Sequence, residues 1–183
     1  MRAFVAIDLP EPVKDALMDV QEALPAGRLA EPDQMHLTLA FLGERPDAEV
    51  EAAHQALESV ASPPFELQLA GLGTFGARAP SVLWAGVRDP ARLQALRSRV
   101  LAALHGAGLP LERRRFRPHV TLARFPPGEA LDAARLARFL QAFETFPSPP
   151  FEVRDFALWR STLRRAGAIH DELARYPLRP VAG

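Results

Sequence analysis

The chain repeats itself. Ser62-Pro63-Pro64-Phe65-Glu66-Leu67 recurs 86 positions later as Ser148-Pro149-Pro150-Phe151-Glu152-Val153. His36-Leu37-Thr38-Leu39-Ala40-Phe41 recurs 83 positions later as His119-Val120-Thr121-Leu122-Ala123-Arg124. A duplicated sequence folds as two versions of one motif, which restricts the architecture to two pseudo-symmetric lobes. The pseudo-repeats run about 1–78 and 79–183, within a single bilobal domain over residues 1–183. The stretch 73–80 that joins them is too short for a free linker.

Each half reads as strand, helix, cassette strand, helix, strand. Phe4-Val5-Ala6-Ile7 leads through Pro10 into Val13, Ala16, Leu17, Val20 and Leu24. Val82-Leu83-Trp84-Ala85 leads through Pro90 into Leu93, Leu96, Val100, Leu101 and Leu104. Short apolar runs followed by apolar residues three and four apart predict a strand and then an amphipathic helix. The proline after each strand suits the first helical turn. Second helices are predicted near 46–60 and 129–143, third strands near 65–75 and 151–160, and a closing short strand near 167–176. The fold class is therefore α+β, each lobe an antiparallel sheet with outer helices, the two flanking a central cleft.

The cassettes carry the chemistry. Positions i and i+2 of a strand share a face, so His36 and Thr38 point one way while Leu37 and Leu39 point into the core. His119 and Thr121 repeat the pattern over Val120 and Leu122. One His-x-Thr means little, because threonine is a common strand residue. Two copies in a duplicated chain can face each other across a cleft, as catalysis by an acid and a base requires. Burial of two neutral histidines would need a partner for each ring nitrogen, and the neighbours in sequence are mostly apolar. Pro118 lacks an amide hydrogen, so the second cassette should begin its strand there or lie on an edge.

Other chemistries fit less well. The chain has no cysteine, which removes disulfides, thiolate metal sites and a cysteine nucleophile. Each cassette offers one histidine with no carboxylate at ligand spacing, so no metal site is predicted. No serine sits in a Gly-x-Ser-x-Gly turn, and Gly71-Leu72-Gly73 completes neither nucleotide-binding fingerprint. His54 and His105 on predicted helices and His170 on the last strand lack a threonine two residues on and read as structural. The start, Met1 to Asp8, meets an acid too early for a signal peptide, and no apolar run reaches membrane-spanning length. A cytoplasmic monomer or small oligomer, with no membrane association, is expected.

The net charge of zero hides an asymmetry: residues 1–80 hold 5 basic and 13 acidic side chains, residues 81–183 hold 17 and 9. Arg113, Arg114, Arg115 and Arg117 crowd the approach to the second cassette, and guanidinium forks fit phosphate oxygens. Arg117 shares parity with His119 and could line the cleft, although an exposed arginine is an equal reading.

At this point the chain resembles the two-histidine phosphoesterases, and among them the RNA 2′,3′-cyclic phosphodiesterases, also called 2′-5′ RNA ligases. The resemblance rests on the paired His-x-Thr. It is supported by Arg2 to Pro10, His36 to Gly43, Gly71-Leu72-Gly73-Thr74-Phe75, Phe116 to Arg124, and Leu173 to Leu178. It implies hydrolysis of 2′,3′-cyclic phosphate ends of RNA to 2′-phosphates, without cofactor, and possible reversible 2′-5′ ligation. It further implies His119 as base and His36 as acid, with Thr38 and Thr121 donating to the phosphate. Arg124 would be a phosphate contact, for which the strand must end or bulge before it. Two other functions stay open: a related two-histidine enzyme acting on 2′-5′ oligonucleotides or small cyclic nucleotides, and a non-catalytic binder of RNA ends.

Overall fold

β1 (Arg2–Asp8) is the spine of a four-stranded antiparallel sheet, and its five consecutive residues from Ala3 to Ile7 are all buried. A computed structural model describes residues 1–111, 115–165 and 167–180 of the chain. The other elements are α1 (Glu11–Glu22), β2 (Arg28–Leu29), β3 (His36–Glu44), α2 (Asp47–Glu58), β4 (Phe65–Phe75), β5 (Val82–Arg88), α3 (Ala91–Gly106), β6 (Val120–Arg124), α4 (Ala133–Ala142), β7 (Phe151–Val153), β8 (Asp155–Arg164) and β9 (Gly167–Pro177). A 3₁₀ turn, Pro32–Gln34, precedes β3.

The strands form two antiparallel sheets in the orders β3-β1-β8-β9 and β2-β6-β5-β4-β7. The predicted α+β class and the strand–helix alternation are those observed. The lobes, however, are not the two sequence halves. β4, from the first half, lies beside β5 in the second sheet, and β8, from the second half, lies beside β1 in the first. Each half gives its third strand to the other, so each sheet is completed by strands from both repeats.

Local chemistry sets the boundaries. Pro10, Pro46 and Pro90 each occupy the N-cap, not the first helical position, and their carbonyls accept from Lys14, Val50 and Gln94. The last helix begins later than the apolar pattern suggests, because Asp132 caps it by accepting from the Arg135 amide at 3.0 Å. The single strand predicted at 151–160 is two strands in different sheets, with Arg154 between them. The burial pattern changes there: Phe151 and Val153 are buried on alternate positions, while Phe156, Ala157 and Leu158 are buried in a row. The closing strand is not short; β9 runs 11 residues against β8. The two-residue β2 and the 3₁₀ turn have no apolar periodicity to announce them.

Candidate active site

His36 opens β3, and the register pairs it with Asp8 while Thr38 faces Ala6. Directly opposed residues of an antiparallel pair share a face, so both cassette side chains stand on the side of the sheet that carries Phe4, Ala6 and Asp8. Leu37 and Leu39 are buried, while His36 and Thr38 are half-buried. In the second sheet Thr121 faces Trp84 across β5. β6 begins at Val120, two residues after Pro118, so His119 stands just before its strand. His119 Nδ1 donates to the carbonyl of Arg117 at 2.6 Å. A carbonyl only accepts, so Nδ1 carries the proton and Nε2 is left for chemistry.

Both cassettes bulge at the same place. Between Thr38↔Ala6 and Ala40↔Val5 the register skips Leu39, and between Thr121↔Trp84 and Ala123↔Leu83 it skips Leu122. An extra residue flips the faces that follow. Arg124, opposite Val82, therefore stands on the Thr121 face, and Phe41, opposite Phe4, takes the matching place in the first sheet. The carbonyls at the bulges are caught by helix side chains. Arg97 Nε on α3 donates to Leu39 O at 3.1 Å, and Gln21 Nε2 on α1 donates to Leu122 O at 2.8 Å.

Aromatic rings flank each histidine. Phe4 stacks on His36 with centroids 4.8 Å apart, and Trp159 lies over Phe4 at 6.4 Å. Phe75 meets His119 edge-on at 4.9 Å, with Trp84 at 6.2 Å. Gly73 makes room for that indole, since a Cβ there would fall 2.3 Å from the Trp84 ring. Gly71, at φ +72°, sits where the β4–β5 register shifts. The Gly71-to-Phe75 stretch thus seats the aromatic wall beside His119.

Sequence reasoning missed His170. Its ring meets His36 edge-on, centroids 5.2 Å apart, which puts it beside the candidate site. No spacing signal could have found it, because it comes from the far end of β9. Among the described residues, three buried side-chain polar atoms lack a hydrogen-bond partner in the protein: Trp84 Nε1, Trp159 Nε1 and His170 Nδ1. Trp84 lies near His119, His170 lies against His36, and Trp159 lies behind the Phe4 ring that stacks on His36; unsatisfied buried polar groups concentrate where a ligand binds.

Burial and the neighbouring His170 push His36 from the ordinary 6.5 down to about 4, and Lys14 and His119 press the same way against the opposing pull of Asp8. His36 is therefore neutral at pH 7. Lys14, the one lysine of the chain, is buried and ion-paired to Asp8 at 3.1 Å. Arg117, Arg115 and Arg124 are exposed; Arg113 and Arg114 lie outside the described residues. Among the described residues, no three histidine, aspartate or glutamate side chains are grouped so as to hold a metal ion, and no helix is long and apolar enough to cross a membrane.

Fold and site together define a duplicated, bilobal α+β protein with one His-x-Thr cassette on each of two sheets. The chain belongs to the 2′-5′ RNA ligase superfamily, whose sequence profile matches residues 9–165. It is 37% identical over 182 residues to an RNA 2′,3′-cyclic phosphodiesterase of Geobacillus stearothermophilus, covering 96% of this chain and 56% of that longer protein. It thus spans little more than half the length of that relative. With the RNA 2′,3′-cyclic phosphodiesterase of Escherichia coli it shares 33% identity over 97% of this chain and 96% of the other. The crystal structure of E. coli LigT complexed with 3′-AMP superposes with a TM-score of 0.76 at 29% identity, over 97% of this chain and 96% of that one.

Proposed function

We propose that the protein hydrolyses 2′,3′-cyclic phosphate ends of RNA to 2′-phosphates by acid–base catalysis between His36 and His119, without a metal ion. The observation that carries this reading is the pair of cassettes with matching bulges, one on each sheet. The names of the relatives and the 3′-AMP held by LigT support the substrate class.

A neutral His36 suits the base, which reverses the roles implied by the family resemblance. His36 takes a proton from water as the water oxygen bonds to phosphorus. The bond from phosphorus to the 3′-oxygen breaks, and His119 delivers its proton to that oxygen. His119, donating through Nδ1 to a carbonyl, is suited to hold the second proton. Thr38 and Thr121 donate to the non-bridging oxygens, where charge builds in the transition state. Arg124 binds the phosphate or the adjoining RNA backbone. An RNA 5′-hydroxyl in place of water would give a 2′-5′ linkage. On this reading the chain acts as one unit, a cytoplasmic monomer.

Product analysis on cyclic-phosphate-ended RNA, 2′-5′ oligonucleotides and cyclic mononucleotides tests the proposal. A 2′-phosphate product formed in the presence of a chelator supports it. Cleavage confined to 2′-5′ linkages, or binding without turnover, would overturn it.

A further inference from the structure

His36 and His170 sit on β3 and β9, the opposite edges of one sheet, with β1 and β8 between them. At the usual strand spacing those edges would lie about 14 Å apart if the sheet were flat. The ring centroids are 5.2 Å apart, with planes at 67°. The sheet must therefore coil, so that the far end of the β8–β9 hairpin swings back over the sheet face that carries His36. Two contacts hold it there. Gln34 Nε2, next to the start of β3, donates to Ala168 O at 2.8 Å. Phe4 stacks on His36 and receives the His170 ring edge-on at 4.9 Å.

We propose that His170 is a positioning residue for His36: its ring edge fixes the orientation of the catalytic imidazole, and its charge disfavours a proton on that neighbour. This rests on the reading of His36 as an acid–base group. Two imidazoles in ring contact do not readily carry two positive charges, so their titrations are coupled. The charged groups facing His36 are His170 from β9, Asp8 from β1, Lys14 from α1 and His119 beside β6. Those facing His170 are His36, Asp33 of the 3₁₀ turn and the adjacent Asp171. Burial holds His170 below its ordinary range, partly offset by the two aspartates. The charge of the neighbouring His170 ring pushes His36 down, so its removal raises the proton affinity of His36.

The test is an NMR titration of the histidine rings in the wild-type protein, His170→Phe and Gln34→Ala, with kcat/KM measured across pH on a 2′,3′-cyclic nucleotide. In His170→Phe the His36 midpoint should rise by about one pH unit, the scale of one neighbouring charge. Turnover should then fall below pH 6 while staying near wild type above pH 7.5. A merely structural role would lower activity evenly across pH and leave the midpoint in place; that result overturns the proposal. Gln34→Ala keeps every ring but frees the hairpin, and serves if the first variant fails to fold. It should move the midpoint the same way by less, and an unmoved midpoint counts against the proposal. The titration reads His36 whether or not RNA is the substrate, so failure of the proposed function would be seen separately.

Discussion

Gln21 on α1 donates through Nε2 to the carbonyl of Leu122, 101 residues away, at 2.8 Å. The counterpart is Arg97 on α3, which donates to the carbonyl of Leu39 at 3.1 Å. A helix from each repeat thus holds the bulge in the cassette strand of the other. Arg97 also lies over the Phe116 ring at 4.4 Å. Gln21→Ala removes two bonds, to Leu122 O and to Ala30 O, while Leu122 O still accepts from the Ala30 amide. Its cost should be about 2 kcal/mol in urea unfolding. Arg97→Met takes the side-chain donor from Leu39 O together with the cation–π contact, and should cost about 2 kcal/mol.

His36→Ala and His119→Ala should each lower turnover of a 2′,3′-cyclic nucleotide by about 10²–10⁴-fold, the usual share of a positioned acid or base. Far-ultraviolet circular dichroism should stay unchanged. A loss below fivefold in both variants would leave a binding protein in place of an enzyme.

The arginines should divide. Arg124 shares the Thr121 face through the bulge, so Arg124→Ala should raise KM about tenfold through loss of a charge-assisted contact. Arg117 serves His119 through its main-chain carbonyl, which survives truncation. Arg117→Ala should therefore change kcat/KM less than about threefold, within the range of an exposed charge. Steady-state kinetics on one substrate decides both.

Gly73→Ala forces a methyl group against the Trp84 indole, and overpacking of this kind should cost about 1–3 kcal/mol. The indole moves with it, so tryptophan emission and activity should change together. Gly106→Ala, where an added Cβ meets nothing within 4 Å, is the control. It should be neutral or stabilising by up to about 1 kcal/mol.

Stability should depend on pH through His36. Its folded value near 4 lies below the unfolded 6.5, so the unfolded chain binds the proton first as pH falls. The contribution is fully present above pH 6.5 and is lost as pH drops through 4, amounting to at most about 3 kcal/mol before screening by solvent. Urea midpoints at pH 7.5 and 4 should differ less in His36→Asn than in the wild type. Equal losses in the two proteins would place the acid sensitivity elsewhere.

Most of the element order could be read from the chain, because burial of one face writes a period of two or of three to four residues along a strand or helix. Phe4 to Ile7, Leu93 to Leu104 and the two cassettes show it plainly. The face shared by His36 and Thr38 follows from the same alternation. The bulge that turns Arg124 toward Thr121 could be demanded from the resemblance, but parity alone gave the opposite face.

Local sequence determined the helices, the strands and the pairing of each histidine with its threonine, since these depend on neighbours within a few residues. Tertiary structure alone decided that the repeats exchange their third strands, that α1 and α3 each brace the cassette strand of the other repeat, and that His170 lies against His36. Those relationships join residues 58 to 134 positions apart. They arise from sheet coiling and the docking of two lobes, which leave no periodic mark on the chain.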